Sequence, residues 1–360
     1  MHKNFFEKTA IIFTLVLIIL FSSNLSSFAV DIGGSVEVNS NYNFIDNNLT
    51  QSYFTQLLNL KLYIPGNEKT EAKVDFDITK VNNETSSSIN KLYLKKNFSN
   101  FNISLGRQPI SWAFGSLINP VDFNVGAEVM NEARSIKYAD AAKLYIPINW
   151  KSGLELVAEP KYNIDSTSEK KVGLRARTMI NDFDLSFNFV QEPIPSKINR
   201  LGVSLKGDIG PLGTYSALSY EEYINFDKKE EVYLVGFDYS KKINYDKRIY
   251  LQGEILNLSS SKIKDFATMM PTSPMNLDLN TRYNLFLGNI NYTLNQFSNI
   301  NLMVLANIDD GSLVTIPQYN NQLPGNLDLT FGGSVALGDN TDIFNDNLPI
   351  SLSLNLKYPF

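Results

Sequence analysis

The last dozen residues of the chain, 349–360, alternate strictly between apolar and polar side chains. One parity carries Ile350, Leu352, Leu354, Leu356, Tyr358 and Phe360, and the other carries Ser351, Ser353, Asn355 and Lys357. Successive side chains of a β-strand point to opposite faces, so this pattern predicts a strand with one apolar and one polar face. Similar alternation recurs from residue 30 onward, and helical periodicity is nearly absent. We therefore expect an all-β fold.

Short alternating runs separated by Asn, Asp, Ser, Gly and Pro predict eighteen strands, with sixteen as the alternative count. The runs are 36–44, 54–64, 72–78, 92–94, 101–105, 137–147, 153–163, 171–180, 183–191, 198–208, 213–223, 231–240, 247–258, 281–294, 299–308, 312–319, 326–338 and 348–360. The even count depends on interpreting Asp309-Asp310-Gly311 as a hairpin turn. Pro324-Gly325 then marks the next turn, at the opposite end of the sheet.

The composition excludes disorder and a helical membrane protein. The chain has 360 residues, of which 43% are hydrophobic and 19% are charged. Its one long apolar run, Ala10 to Phe21, follows Lys3 and Lys8 and precedes a small-residue site ending at Ala29. This arrangement predicts a secretory signal peptide over residues 1–29, cleaved after Ala29, and the alternative is an N-terminal anchor helix. Residues 30–360 are then expected to form a single barrel domain.

The predicted mature chain has no cysteine and no histidine, because the only histidine is His2. A disulfide framework, thiol or imidazole catalysis and the usual zinc ligands are thereby excluded. Removing Lys3, Lys8 and Glu7 leaves 30 basic and 36 acidic residues, a net charge of −6, which argues against a nucleic-acid partner. We expect neither an enzyme nor a cofactor or metal requirement.

The link at 108–136 is the longest stretch without strand alternation in the first half of the chain. It carries the apolar residues Trp112, Phe114, Leu117, Ile118 and Phe123. A loop of this length and apolarity needs a surface to pack against. In a barrel the nearest such surface is the interior, so we predict that the loop folds into the lumen. The alternative is an outward loop that packs on its own rim.

Two stretches resemble porin-like bacterial outer-membrane β-barrels. The first is the G-R-Q…W…N-P-x-D pattern within residues 105–124, matched by Gly106, Arg107, Gln108, Trp112, Gly115, Asn119, Pro120 and Asp122. The second is the C-terminal aromatic strand that ends in Phe360, in which Pro359 departs from the usual penultimate residue. The resemblance implies a transmembrane antiparallel up-and-down β-barrel. It also implies that the C-terminal strand is recognised by the barrel-assembly machinery.

Charged rings select ions and solutes in pores, so charged residues of the long link are candidates for a pore constriction. The candidate set consists of the charged residues Arg107, Asp122, Glu128, Glu132 and Arg134, together with the aromatic Trp112. Arg107 shares the parity of the apolar Phe101, Ile103 and Leu105. Its parity therefore indicates the outer rim as the alternative position.

Parity opposite the apolar residues assigns a further set of charges to the lumen wall. These are Lys143, Arg175, Arg177, Arg200, Lys206, Arg248, Arg282, Asp75, Asp77 and Glu254. Arg175 and Arg177 lie two residues apart on one strand and are expected side by side on one face. A basic stripe would favour anionic solutes, and a mixed-charge hydrated wall would be only mildly selective.

These features together predict an integral protein of the outer membrane of a diderm bacterium. We expect a porin-like passive diffusion channel for small hydrophilic solutes, filtered by size and charge at the inward-folded loop. Its expected partners are outer-membrane lipid, the solutes and the barrel-assembly machinery, and a homotrimer is left open. The alternatives are a structural or adhesin barrel without an open pore, a channel specific for an anionic solute, and a soluble exported all-β protein.

Overall fold

A computed structural model describes residues 30–45, 48–67, 69–112, 114–115, 118–124, 138–162, 168–193, 197–259, 281–339, 342–344 and 350–360. The predicted signal peptide, residues 1–29, lies outside these ranges. Within them, no helix has the length and apolarity that a membrane-spanning helix requires.

The chain forms eighteen β-strands, which confirms the predicted count over the alternative of sixteen. They are β1 (Asp31–Ile45), β2 (Asn48–Asn67), β3 (Thr70–Val81), β4 (Glu84–Asn97), β5 (Asn102–Pro109), β6 (Tyr138–Pro147), β7 (Ser152–Tyr162), β8 (Ser168–Ile180), β9 (Phe183–Glu192), β10 (Ile198–Ile209), β11 (Leu212–Tyr223), β12 (Lys228–Lys242), β13 (Arg248–Ser259), β14 (Arg282–Asn295), β15 (Ser298–Asn307), β16 (Leu313–Leu323), β17 (Leu327–Leu337) and β18 (Ile350–Pro359).

The strands form one closed antiparallel barrel. Each pairs with its neighbour in sequence, and β1 also pairs with β18, in a register that runs from Ser35 opposite Pro359 to Phe44 opposite Ile350. At the seam, Gly34 and Phe360 exchange backbone hydrogen bonds of 2.9 and 3.0 Å. Closure leaves no unpaired strand edge, the condition for a sheet to sit in a membrane.

The two ends of the barrel differ in their connections. At the end that carries Val30 and Phe360, here the terminal end, the links are short, such as the two-residue turn between β8 and β9. In that turn Asn181 has a φ of 53°, which Asn tolerates better than most residues. The opposite end, here the loop end, carries the long links at 110–137 and 260–281. The predicted turns at 309–311 and 324–325 lie between β15, β16 and β17, at opposite ends as expected.

The outward face of the barrel is apolar along its whole circumference. Leu201, Phe187, Val235 and Phe331 are each more than half exposed, although all four sit in the middle of strands. A soluble protein rarely exposes an apolar surface of this extent. The outward side chains therefore suit a hydrocarbon surrounding, and the polar and functional residues are sought in the interior.

Candidate functional site: the barrel interior

The described part of the long loop after β5 folds into the barrel, as predicted. This part, here the inner loop, comprises residues 110–112, 114–115 and 118–124. Gly173 on β8 faces inward, and a Cβ there would lie 2.5 Å from Cη2 of Trp112. Gly202 on β10 also faces inward, where a Cβ would lie 2.6 Å from Cγ1 of Val121. These glycines leave the space that the inner loop occupies against the wall.

The inner loop is held in shape by its own polar side chains. Asn119 accepts a hydrogen bond from the Gly115 amide at 2.6 Å and donates one to the Gly115 carbonyl at 2.9 Å. The Asp122 carboxylate accepts a hydrogen bond from the backbone amide of Trp112. Trp112 Nε1 in turn donates to Glu155 Oε1 on β7 at 2.6 Å. The residues of the recognised motif thus fold the loop and attach it to the wall.

Two cations on the wall anchor the end of the inner loop. Arg200 Nη1 donates to the Asp122 carbonyl at 2.6 Å, and its Nε donates to Glu221 Oε1 at 3.0 Å. Lys171 Nζ donates to Asn124 Oδ1 at 2.8 Å and lies 2.9 Å from Glu192 Oε2. Both cationic side chains are only 3% exposed. Arg200 therefore faces inward as predicted, but it serves as a buried anchor rather than as a charge on an open wall.

The barrel can be divided into a loop half, nearer the loop end, and a terminal half, nearer the terminal end. The interior of the loop half is apolar on one side. Inward residues of β11 to β17 pack there with residues of the inner loop and of the link between β17 and β18. This interior apolar cluster consists of Ile118, Val121, Tyr215, Ala217, Val232, Leu234, Leu256, Leu258, Tyr283, Leu285, Leu287, Leu305, Val314, Ala336, Ile343 and Phe344. Each member is at most 8% exposed, so this side of the loop half is filled.

The opposite side of the interior is open along β2. Tyr53, Thr55, Leu57, Asn59 and Lys61, here the β2 stripe, all point inward, and each is at least partly exposed. They span nine of the twenty residues of the strand, on both sides of its midpoint. A side chain that points into a closed barrel can be exposed only to space within it. Solvent-accessible space therefore follows β2 from the loop half to the terminal half.

Uncharged amides and hydroxyls line the interior on β14 to β18 and β1, from near the terminal end on β14 and β15 to beyond the middle of the strand on β1. This carboxamide wall consists of Asn291, Thr293, Asn299, Asn301, Gln318, Asn320, Thr330, Ser353, Asn355, Asn39 and Asn41. All are partly exposed. This wall is absent from the residues predicted from the sequence, because only charged residues of the inward parity were assigned to the lumen. The signal that could have found it is the recurrence of Asn on the polar parity of consecutive strands.

The three predicted acidic residues face the interior and are nearly covered. Asn59 Nδ2 donates to Asp75 Oδ1 at 2.8 Å and to Asp77 Oδ1 at 2.7 Å, while Lys91 Nζ lies 3.8 Å from Asp75. Glu254 is 1% exposed and accepts a hydrogen bond of 2.5 Å from the hydroxyl of Tyr215. Among the residues that the structure describes, no group of three or more His, Cys, Asp or Glu could hold a metal ion.

Arg175 and Arg177 point into the barrel side by side on β8. Arg177 is 51% exposed at its side chain and makes a two-pronged contact with Asp184, including Nε to Oδ1 at 2.8 Å. Arg175 faces Glu155 across the β7–β8 ladder. Each arginine of this pair therefore has a carboxylate neighbour on an adjacent strand.

Two of the three other predicted cations of the interior, Lys143 on β6 and Lys206 on β10, lie two strands from the arginine pair on β8, and Lys206 is opposite Asp184. Lys206 lies over the ring of Phe114, with Nζ 4.9 Å from its centroid. Lys143 faces inward beside Ser104, and Arg248 is exposed at the terminal end beside Lys242. The structure thus gathers five predicted cations on β6 to β10, but it interleaves them with carboxylates and the inner loop rather than leaving an open basic stripe.

Two predicted residues point outward. Arg282 is the first residue of β14, and the inward residues of that strand include Tyr283, Leu285 and Leu287. The assignment of Arg282 to the lumen was therefore wrong. Arg282 donates from Nε to Asn257 Oδ1 at 3.0 Å at the loop end. Arg107 keeps the outward parity of β5 and pairs with Asp140 at 3.0 Å. The structure therefore places Arg107 at the rim, which our sequence analysis gave as its alternative position.

The other predicted constriction residues divide into two groups. Trp112 and Asp122 are at most 1% exposed, so they support the inner loop and present almost no surface to a passing solute. Glu128, Glu132 and Arg134 lie outside the described residues.

Comparison with solved structures places this barrel among known outer-membrane folds. OccK11 (OpdR) of Pseudomonas aeruginosa is similar with a TM-score of 0.61 at 8% identity, over 92% of this chain and 96% of that one. The fold is that of an outer-membrane barrel. A triple mutant of Rhodopseudomonas blastica porin is similar with a TM-score of 0.50 at 10% identity, over 92% of this chain and all of that one.

A third similar structure is Wzi, an outer-membrane protein involved in group 1 capsule assembly in Escherichia coli. It matches with a TM-score of 0.58 at 12% identity, over 91% of this chain and 84% of that one. No protein-family model and no curated protein matches the chain. At these identities the similarity establishes the fold alone.

Proposed function

We propose that the protein is a porin-like passive diffusion channel for small hydrophilic solutes in the outer membrane of a diderm bacterium. The observation that carries the proposal is the β2 stripe, whose inward residues are partly exposed in both halves of the barrel. A continuous hydrated path along one side of the interior is what diffusion of polar solutes requires. No cofactor or chemical step is involved.

The inner loop supplies the filter by size. It fills the interior on the side of β6 to β16, through Trp112 against Gly173 and Leu234 against Gly115, and confines the path to the side of β1 to β4. Charges of the rest of the loop, Glu128, Glu132 and Arg134, are proposed to border the same path and to add a filter by charge.

The proposed location in the outer membrane follows from the apolar outer surface of the barrel and from the predicted signal peptide. The apolar outward face suits outer-membrane lipid, and the predicted signal peptide of residues 1–29 would direct export. Recognition of the C-terminal strand by the barrel-assembly machinery is part of the proposal, and a homotrimer is compatible with the apolar outer surface.

The decisive test is single-channel conductance of the refolded protein in a planar bilayer, with reversal potentials in a salt gradient. Stable open steps are expected. A correctly folded, heat-modifiable barrel that never conducts would overturn the channel and favour an adhesin or structural role.

Strand alternation supplies a matched pair of variants. Thr55→Trp adds bulk inside the hydrated path, whereas Phe54→Trp adds it to the outward face, where Phe54 is 44% exposed. We expect Thr55→Trp to lower the unit conductance severalfold and Phe54→Trp to leave it unchanged. Equal effects would show that current does not follow β2.

A channel specific for an anionic solute is the second candidate, because the half-exposed Arg177 lies beside Arg175 on one inward face. The sign of the reversal potential separates the two candidates. A strongly anion-selective potential that collapses in Arg177→Gln supports this candidate, and weak selectivity supports general diffusion.

A further inference from the structure

The carboxamide wall is polar but its own side chains carry no charge, unlike the polar residues on β3 and on β6 to β10. The row nearer the terminal end consists of direct cross-strand neighbours on five adjacent strands: Asn299, Asn320, Thr330, Asn355 and Asn39. A second row lies on the side of the loop half, where Asn301 pairs with Gln318 and Ser353 pairs with Asn41. The nearest charges, Lys357 and Glu37, lie one position beyond the row nearer the terminal end, where Asn355 Nδ2 donates a hydrogen bond to Glu37 Oε1. The wall is thus a neutral hydrogen-bonding surface bounded by charge.

The side chains of the wall are already ordered by hydrogen bonds to one another. Asn299 Oδ1 accepts from Asn291 Nδ2 at 3.2 Å and from Asn320 Nδ2 at 3.0 Å, and Asn320 Oδ1 accepts from Thr330 at 2.7 Å. Each carboxamide has two donor hydrogens and two acceptor lone pairs, so the chain of contacts leaves capacity unused. Because these residues are partly exposed, the unused capacity faces the hydrated interior.

The spacing of these unused hydrogen-bond donors and acceptors suits a solute with several hydroxyl groups. Adjacent strands lie about 4.8 Å apart, and inward residues of one strand lie about 6.7 Å apart. Donors and acceptors therefore recur on a two-dimensional grid with no net charge. Aromatic stacking is not offered by this face, since Tyr292 and Tyr319 have the outward parity of their strands. Hydrogen bonding to uncharged groups is the chemistry that the wall presents.

We propose that the carboxamide wall is a weak, multi-site binding surface for uncharged polyhydroxylated solutes, such as monosaccharides and polyols. The inference rests on the proposed channel, and it names the class of solute that the carboxamide wall favours within that channel. Several weak sites in a row let a solute enter and leave, whereas one strong site would trap it. Neutral donors and acceptors replace the hydration of hydroxyl groups without attracting or repelling ions.

The test uses three probes of nearly equal size: glucose, the anion gluconate and the cation N-methyl-glucamine. Entry into liposomes that contain the refolded protein is measured, together with block of the single-channel ion current by glucose. We expect glucose to enter faster than both ions and to block the current in a concentration-dependent manner.

The variant Asn299→Leu removes the acceptor that joins three strands of the wall. We expect the half-blocking glucose concentration to rise about fivefold, because the sugar loses one or two hydrogen bonds. Asn225→Leu, in the exposed turn between β11 and β12, is the matched control and should leave the block unchanged. Asn299→Asp keeps the acceptor and adds a charge, so it tests the wall if the leucine variant does not fold. It should slow gluconate and favour N-methyl-glucamine.

Two failures are distinguishable. A folded barrel without any conductance overturns the channel itself. A conducting barrel that passes all three probes equally, or whose glucose block is unchanged in both Asn299 variants, overturns the wall as a solute surface and leaves the channel standing.

Discussion

Arg200 and Asp122 are joined by a hydrogen bond of 2.6 Å from Nη1 of the guanidinium to the backbone carbonyl, inside the barrel. The same guanidinium contacts the carboxylate of Glu221, which is fully buried. The side chain of Arg200 on β10 thereby connects the strand wall of the barrel with a buried acid, Glu221, and with the inner loop. Removing one partner of such a buried ion pair leaves an uncompensated charge.

Arg200→Gln is therefore expected to lower the free energy of unfolding by about 3–5 kcal/mol. The control is Arg177→Gln, which breaks a pair whose cation is half exposed, and it should cost less than Arg200→Gln because water can reach the vacated site. Urea unfolding, or the temperature at which the folded gel band disappears, measures both. Equal losses would contradict the anchoring role of Arg200.

Trp112 can report the position of the inner loop. The chain has two tryptophans, and Trp150 is 85% exposed whereas Trp112 is 1% exposed. In Trp150→Phe, the remaining emission should be blue-shifted and poorly quenched by iodide. Adding Arg200→Gln should increase the quenching if the anchor holds the loop. Strong quenching already in Trp150→Phe would mean that Trp112 is not packed against the wall.

Gly173 provides space for the Trp112 ring, which predicts coupling between the two positions. A Cβ at Gly173 would lie 2.5 Å from Trp112 and 2.7 Å from Phe123. Gly173→Ala should therefore cost about 1–3 kcal/mol, although alanine usually suits a strand better than glycine. In a Trp112→Ala background the cost should shrink, and a double-mutant cycle in urea measures the difference. Strictly additive losses would contradict the contact.

The turn between β15 and β16 predicts a dependence of stability on pH. Burial acts to raise the pKa of Asp310, but hydrogen bonds from the Ile343 amide and from the hydroxyl and amide of Ser312 outweigh it, so the pKa lies below its ordinary value. A lowered pKa in the folded state means stability that is complete above the unfolded value of 3.8 and is lost as the pH falls through the folded value.

The variant Asp310→Asn should therefore be less stable than the wild type at about pH 6, and the gap should narrow toward about pH 3. The free energy of unfolding in urea at several pH values provides the comparison. A gap that stays constant over this range would show that the carboxylate of Asp310 contributes nothing through its ionisation.

Strand alternation predicted the strands, and the barrel was predicted from them together with the signal-peptide pattern, the absence of cysteine and the C-terminal aromatic strand. The even strand count depended on Asp309-Asp310-Gly311, which forms a tight turn as expected. The inward direction of the long loop could also be predicted, from the cost of leaving Trp112 and Phe123 in water. These predictions depended on local periodicity and on burial, both of which can be read along the chain.

The interior could be predicted only in part. The rule that apolar residues face outward failed on β14, where Leu285 and Leu287 face inward under the inner loop and Phe286 faces outward. Arg282 was misplaced for this reason. Arg200 was correctly assigned to the interior, but its burial depends on Asp122 and Glu221, which are distant in sequence. Parity gives the direction of a side chain and not what covers it.

The interior apolar cluster, which fills one side of the loop half, has an electrical consequence. In a conducting barrel the two halves act as resistances in series, and the half with the narrower aqueous cross-section takes most of an applied voltage. The interior apolar cluster narrows the loop half, so the field is concentrated beside β2 and the inner loop. Block by a charged solute that lodges there should vary with voltage. Block by an uncharged solute on the carboxamide wall should hardly respond to voltage, because such a solute carries no charge on which the field can act.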